Sequence, residues 1–589
     1  MERRLPRKIV RHLPLAAALA SVLLAAVLTS VTRPVWTQAI SGAPRFTRAF
    51  RDGGLGGESA FALAAAPDGS VYLGGDFTGT TTIAGTAVSA ASGSANDGFL
   101  AKYAQDGAPQ WVRTVSSDTT SNIVHGVAVA SDGSVYATGY FSGTATFDGA
   151  TRVMSHGGGD FFLVKYAADG TFQWVQTGGS ASTYDEGMGI AFDASGHVYV
   201  AGYYGGTATF GTQTLTDAGG NYWHWMLLEY QPDGTLAYAK DAGGGTTDQS
   251  YPNGIVVDGN ALYVAGETQA ADASFGGFPV ADHGGANIVV AKYGLDGSGV
   301  WASSAGGSGD DYANGITALD GSLYVAGWTS SAFSYGPSSI TNSGGTGAVL
   351  AKYAESDGTV LWAGEIAGAG DDAGRAVVAA NGSIYLSGYF SDTAVAGATT
   401  LSSQGGSDPF LAAYAADGRV LWAVQGGGAG DATPALTCGM SGTAVVCGGF
   451  FTGTVAFGGF SLTSAGGNDL YADTVREIPG PVRIEPLAVP VLSFSASSSP
   501  HADGRTIRVT YAAGVADHVP VENVRIEDQA CLRPPAYVSG DADGDGVMQP
   551  GETWIFVCDR PAKAAASVPV LYAEGNGFLV SQPAPSSEE

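Results

Sequence analysis

The densest run of oxygen-bearing side chains lies near the C-terminus, in DADGDGVMQPGE. Asp541, Asp543, Asp545, Val547 and Glu552 stand at positions 1, 3, 5, 7 and 12 of this stretch, with Gly546 at position 6. Calcium takes six to eight hard oxygens from a flexible loop spaced in this way, position 7 giving its backbone carbonyl. The same residues also make an acidic, glycine-rich hairpin turn, a reading favoured by Pro550 and by the lack of flanking helical periodicity. Both readings stay open: a Ca2+ site that stabilises the turn, or the turn alone. Cys531 and Cys558 flank the stretch and are placed to staple its base. Cys438 and Cys447 enclose CGMSGTAVVC, two short strand-like runs around a Ser-Gly turn, which brings the cysteines opposite one another.

Other reactive residue types recur without forming a catalytic constellation. Asp185, Glu186, Asp248, Asp310, Asp311, Asp371, Asp372 and Asp431 fall in similar loops, where Asp is also an ordinary turn residue. Aromatic pairs recur too, as Tyr140-Phe141, Tyr203-Tyr204, Tyr389-Phe390 and Phe450-Phe451, with Trp328 in the same place. Their expected role is packing, with sugar stacking as the alternative. His125, His156, His197, His224 and His283 occupy unrelated positions, and no nucleophile elbow, zincin, phosphate-loop or dinucleotide motif is found, so no catalytic residue is assigned.

The elements that must carry these residues come from a repeat. A Trp follows an Asp-Gly turn at Trp111, Trp174, Trp301, Trp362 and Trp422, with Tyr238 in the same place, at intervals of 63, 64, 63, 61 and 60 residues. A second mark appears seven times: VYLGG at Val71, VYATG at Val135, VYVAG at Val198, LYVAG at Leu262 and Leu323, IYLSG at Ile384 and VVCGG at Val445. A third is an apolar run ending in Lys-Tyr or a variant of it, as in FLAKY and FFLVKY. One unit, such as 189–240, reads as strand, turn, strand, loop, strand, Asp-Gly turn, strand. Four short strands per repeat predict an all-β, seven-bladed β-propeller over residues 45–477. The last unit lacks its fourth strand, and RFTRAF at 45–50 sits where such a strand would complete it, closing the ring.

Units such as GGGDFFLVKYAADGTFQWVQTGG and GIAFDASGHVYVAGYYGGTATF resemble the bacterial β-propeller repeats called SBBP, over roughly residues 46–475. The resemblance implies a propeller in exported bacterial proteins and brings no catalytic residues with it. Beyond a proline-bearing linker at 478–489, residues 490–580 read as a small immunoglobulin-like β-sandwich. Residues 581–589 read as a disordered tail.

Composition bounds the function. Arg3, Arg4, Arg7, Lys8 and Arg11 precede an apolar run from Leu13 to Leu28, so residues 1–39 read as a secretory signal, with a retained N-terminal anchor as the alternative. The whole chain has 26 basic and 54 acidic residues, net −28; without residues 1–39 the balance is 20 against 53, net −33. Such a surface opposes nucleic acid and anionic lipid. No second apolar span follows, so no membrane span is expected after signal removal. The expected location is extracellular, cell-surface or periplasmic. Two functions fit: a non-catalytic binding or cell-surface interaction scaffold for a protein or carbohydrate ligand, and a propeller-type polysaccharide hydrolase or lyase.

Overall fold

The computed structural model describes residues 44–91, 96–117, 121–147, 149, 151–181, 184–217, 222–342, 344–380, 382–434, 438–441, 444–476, 492–501, 505–515, 522–541, 547–548, 552–561, 570–575 and 578–583. Among them every regular element is a strand. The chain divides into two compact units, residues 41–478 and a second containing 479–589. The expected signal segment and linker lie outside the described residues. No helix among the described residues is long and apolar enough to cross a membrane, which says nothing about β-barrels.

In the first unit each repeat forms an antiparallel sheet. In one, Glu58–Ala65, Val71–Phe77, Asp97–Tyr103 and Pro109–Ser117 lie side by side in that order. The second and third strands are buried almost throughout, because both of their faces are covered. This is why they read as continuous apolar runs rather than as alternation. The first strands of successive repeats pack against one another: Glu58–Ala65 beside Ile123–Val129, then Glu186–Phe192, Ser250–Asp258, Asp311–Leu319, Asp372–Ala380 and Gly439–Ser441. Gly439–Ser441 in turn packs beside Glu58–Ala65, so the series returns to its start.

The final glycine of each VYxxG mark is explained by this inner strand. At Gly75, Gly139, Gly202, Gly266, Gly327 and Gly388 a Cβ would collide with the carbonyl oxygen of Ser59, Ile123, Glu186, Tyr251, Tyr312 or Ala373. Opposite each of these glycines the inner strand carries a β-bulge, with register shifts around Phe61, His125, Met188, Asn253, Asn314 and Arg375. A bulge adds one residue and re-aims its side chain. Only a residue without a side chain lets the backbones approach this closely.

The segment read as a loop between second and third strands is a hairpin, a correction to the four-strand reading. Thr207–Phe210 pairs with Gln213–Thr216 and also with Phe172–Ser180, the fourth strand of the preceding repeat, through Gly178↔Phe210. The same lacing joins Ala145 to Ser117, Phe275 to Gly243, Val395 to Ala367 and Ala456 to Gly427. The recurring GTATF, GTATF and GTVAF carried this signal.

The other end of each fourth strand is held as well. Trp111 Nε1 and Lys102 Nζ both donate to the Ala168 carbonyl of the next repeat, at 3.2 and 2.9 Å. Trp301 and Lys292 do the same to Glu355, and Trp362 and Lys352 to Ala416. Each of these lysines also lies over the motif tyrosine of its own repeat, as Lys102 does over Tyr72 at 5.2 Å. These tryptophans therefore pack between repeats. The N-terminal strand Arg45–Asp52 pairs antiparallel with Asp469–Arg476, from Arg45↔Arg476 to Asp52↔Leu470. It is fixed by the Arg51–Asp469 ion pair at 2.6 Å and by Asp52, which accepts from Tyr103 Oη at 2.6 Å and from the Ala84 amide.

The second unit has a four-stranded sheet, with Leu492–Pro500, Thr506–Val515, Thr553–Pro561 and Ala536–Ser539 in that order, and a three-stranded sheet of Glu522–Glu527, Val570–Gly575 and Phe578–Pro583. Val509, Tyr511, Trp554 and Phe556 from one sheet share a core with Ile526 and Leu571 from the other. The last strand pairs through Val570↔Pro583, so residues 581–583 belong to the sheet and not to a disordered tail: backbone pairing continues past residue 580.

Candidate functional site

The bulges set the chemistry of the ring's axis. Phe61, His125, Met188, Asn253, Asn314 and Arg375 occupy one position in six repeats and differ in every case but one, while the framework around them repeats. Beside them lies a cavity of about 220 Å3, lined by His125, Met188, Asn253, Asn314, Val377 and Cys438 among others. Some of these side chains bridge to the next repeat. Asn253 Nδ2 donates to the Ala313 carbonyl at 2.8 Å, Asn314 Nδ2 to that of Gly374 at 2.7 Å, and His125 pairs with the Glu186 carboxylate.

Around His125 the polar groups form a network. Tyr203 Oη donates to Glu186 Oε2 at 2.5 Å. Burial works against a charged His125, but Glu186 and Asp76 outweigh it and hold the imidazole above its ordinary pKa, with Arg375 opposing. Burial raises Asp76 to about 6 against a hydrogen bond from Asn96. Burial raises Glu267 well above the carboxylate range, although Asn253 Nδ2 donates to it at 2.6 Å. Burial pushes the Arg375 guanidinium down, and its Nε is sealed from solvent without a hydrogen-bond partner.

The recurring aromatics divide by register. Phe141, Tyr204, Phe390 and Phe451 are fully buried, whereas Tyr140, Tyr203, Trp328, Tyr389 and Phe450, one residue earlier, are half-buried. Asp76 and Glu267 take that earlier place in the two remaining repeats. Tyr203, Trp223 and Tyr251 cluster with ring centroids 5.2–5.3 Å apart, and Tyr312 stacks on Trp328 at 4.5 Å. These rings stand above the bulge belt, since Tyr203 reaches Glu186 and Glu186 reaches His125.

The loop acids serve the backbone. Asp185 accepts from the Ser180 amide and hydroxyl and from the Gly205 amide, Asp311 from Gly307, Asp310 from Ala286, Asp371 from Thr346 and Asp431 from Ser407. Asp248 bonds the Gln249 amide. Glu186 alone of that series joins the channel. Reading the acids as loop residues missed Glu267, Asp76 and Arg375; the usable signal was departure from the repeat, since the bulge residue falls 13 or 14 positions before the motif glycine.

Both cysteine pairs are bonded, Cys438–Cys447 and Cys531–Cys558, with Cα–Cα distances of 4.6 and 5.9 Å. The first spans the Gly439–Ser441 and Ala444–Phe451 hairpin, as expected from its turn. Asp528 lies close to the sulfurs of Cys531 and Cys558, but those sulfurs are consumed by the disulfide and offer no thiolate to a metal. Of the expected calcium ligands, Asp543 and Asp545 lie outside the described residues. Asp541, Val547 and Glu552 are described, and Glu552 Oε2 accepts the Trp554 indole N–H at 3.2 Å.

No protein-family model matches the chain, and no curated protein matches it. Among solved structures, the crystal structure of quinohemoprotein alcohol dehydrogenase from Comamonas testosteroni is similar at 11% identity and a TM-score of 0.32, covering 72% of this chain and 76% of that one. At that score the likeness bears on neither fold nor chemistry.

Proposed function

We propose that this chain is an exported binding scaffold: a seven-bladed, SBBP-type propeller carrying an immunoglobulin-like sandwich, with its ligand received at the mouth of the ring axis. The observation that supports this most is the set of half-buried aromatics Tyr140, Tyr203, Trp328, Tyr389 and Phe450 above a belt of non-repeating side chains. Rings left partly open over polar groups suit a ligand with one apolar face and several hydroxyls. The two disulfides accord with an oxidising compartment outside the cytoplasm. Ca2+ held by Asp541, Asp543, Asp545, Val547 and Glu552 is part of this reading, as a brace for the sandwich. A glycan and peptide array probed with the purified chain and with Tyr203→Ala and Trp328→Ala tests it: ligands lost in both variants support the mouth as the site, and ligands retained in both place binding elsewhere.

A second reading, a polysaccharide hydrolase or lyase, has one observation in its favour. Glu267 is a buried carboxyl raised by burial well above the carboxylate range, the direction a general acid requires, and Asp76 is its counterpart in one other repeat. Release of reducing ends from a polysaccharide panel, abolished in Glu267→Gln, would establish it.

A further inference from the structure

Among the described residues, the belt contains one charge that no carboxylate pairs with. His125 is matched by Glu186, and Asp76 takes a hydrogen bond from Asn96 and faces His125. Glu267 is bonded by Asn253 and held toward neutrality. Arg375 has no such partner. Its Nε is sealed from solvent with no acceptor, and among the described residues no carboxylate lies within ion-pair distance of its guanidinium.

The position of Arg375 makes this informative. It is the bulged residue of Asp372–Ala380, at the place filled elsewhere by Phe61, Met188, Asn253 or Asn314, and its charge is felt by His125 from across the ring and by Tyr389 of its own repeat. In a chain with 54 acidic residues against 26 basic ones, a carboxylate partner would be easy to supply. Nε alone is sealed and the side chain as a whole is half-buried, so the guanidinium is left to take an anion arriving from outside. Arginine presents a planar fork of donors that fits a carboxylate in bidentate fashion.

We propose, building on the binding reading above, that the mouth receives an acidic sugar residue, with Arg375 taking its carboxylate and the half-buried aromatics taking the face of its ring. Tyr389 beside Arg375 and the stacked pair Tyr312–Trp328 of the preceding repeat are the nearest candidates for that contact. Asn314, whose amide is fixed to the Gly374 carbonyl, holds the bulge that aims Arg375.

The experiment is calorimetric titration of the full chain with oligomers of galacturonate and glucuronate, with the neutral galactose and glucose oligomers, and with a carboxylate-terminated peptide. The expected result is binding of a uronate oligomer about tenfold to a hundredfold tighter than its neutral counterpart, with that preference lost in Arg375→Gln and partly kept in Arg375→Lys. Thermal unfolding of the variants establishes that they fold. Equal binding of acidic and neutral sugars, or a preference that survives Arg375→Gln, overturns this inference and leaves a neutral-sugar site. Binding of the peptide alone overturns the sugar assignment while leaving a binding scaffold. Binding of none of the probes overturns it together with the carbohydrate form of the binding reading.

Discussion

The indole of Trp111 lies across Gly170 of the next repeat: a Cβ there would fall 2.8 Å from the ring, and the indole N–H donates to Ala168 in the same turn at 3.2 Å. Gly170 has φ +83°, and Gly133, at φ +82°, has a similar backbone but an open surrounding, with Ala168 Cβ 3.6 Å away. Gly133→Ala should cost about 1 kcal/mol from backbone strain alone. Gly170→Ala should cost about 2–4 kcal/mol, because the ring must also move. Thermal or denaturant unfolding of the pair separates strain from the joint between repeats, and equal costs would refute the joint.

Asp52 ties the N-terminal strand to the first repeat through Tyr103 and Ala84. Asp52→Ala strands a buried tyrosine hydroxyl and should cost about 1–3 kcal/mol in the unfolding of residues 41–478. Truncation of Arg45–Asp52 should lower that transition much further, because it exposes the Asp469–Arg476 edge. Proteolysis starting in that edge strand would show it directly.

Asp473 is buried beside Cys447, at a place held by Ala101, Ala291, Ala351 and Ala412 in other repeats. Burial raises its carboxyl to about 8. The folded state therefore keeps a proton that the unfolded state has lost, and stability attributable to this group falls as pH rises from about 4 to about 8. Burial likewise raises Glu58, Asp185, Asp311 and Asp372 to about 7, so the same slope should appear between about 4 and 7. Melting curves from pH 5 to 9 should show the decline, with Asp473→Ala flatter above pH 7.

Glu186 is the partner that holds the His125 imidazole above its ordinary pKa against burial. In Glu186→Gln the imidazole should titrate well below its wild-type value, as followed by NMR of the His125 ring. An unchanged titration would mean that Asp76 suffices.

Chelation should lower the unfolding temperature of the C-terminal unit and leave that of residues 41–478 in place, as read by scanning calorimetry. Asp543→Ala should abolish the response to added Ca2+, and absence of any response leaves the stretch as an acidic turn.

Much of the framework was legible in the residues. Trp111, Lys102 and Gly170 recur because the joint between repeats needs all three, and the motif glycine recurs because it faces a bulge. The hairpins were not read, since Thr144–Thr146 and Thr207–Phe210 are too short to show alternation and their partner lies in another repeat. The candidate site was legible only by subtraction. His125, Glu267 and Arg375 obey no motif, and each marks a place where the repeat is broken. The calcium reading, by contrast, rests on spacing alone, and Asp543 and Asp545 lie outside the described residues.

The pairing of Arg45 with Arg476 has a mechanical consequence. Arg45 and Arg476 stand at the same end of one antiparallel strand pair, so tension applied between these two residues opens the ladder one hydrogen bond at a time, like a zip, and does not shear the strands past each other. A load applied between Arg45 and Arg476 would part this seam before any repeat was stretched.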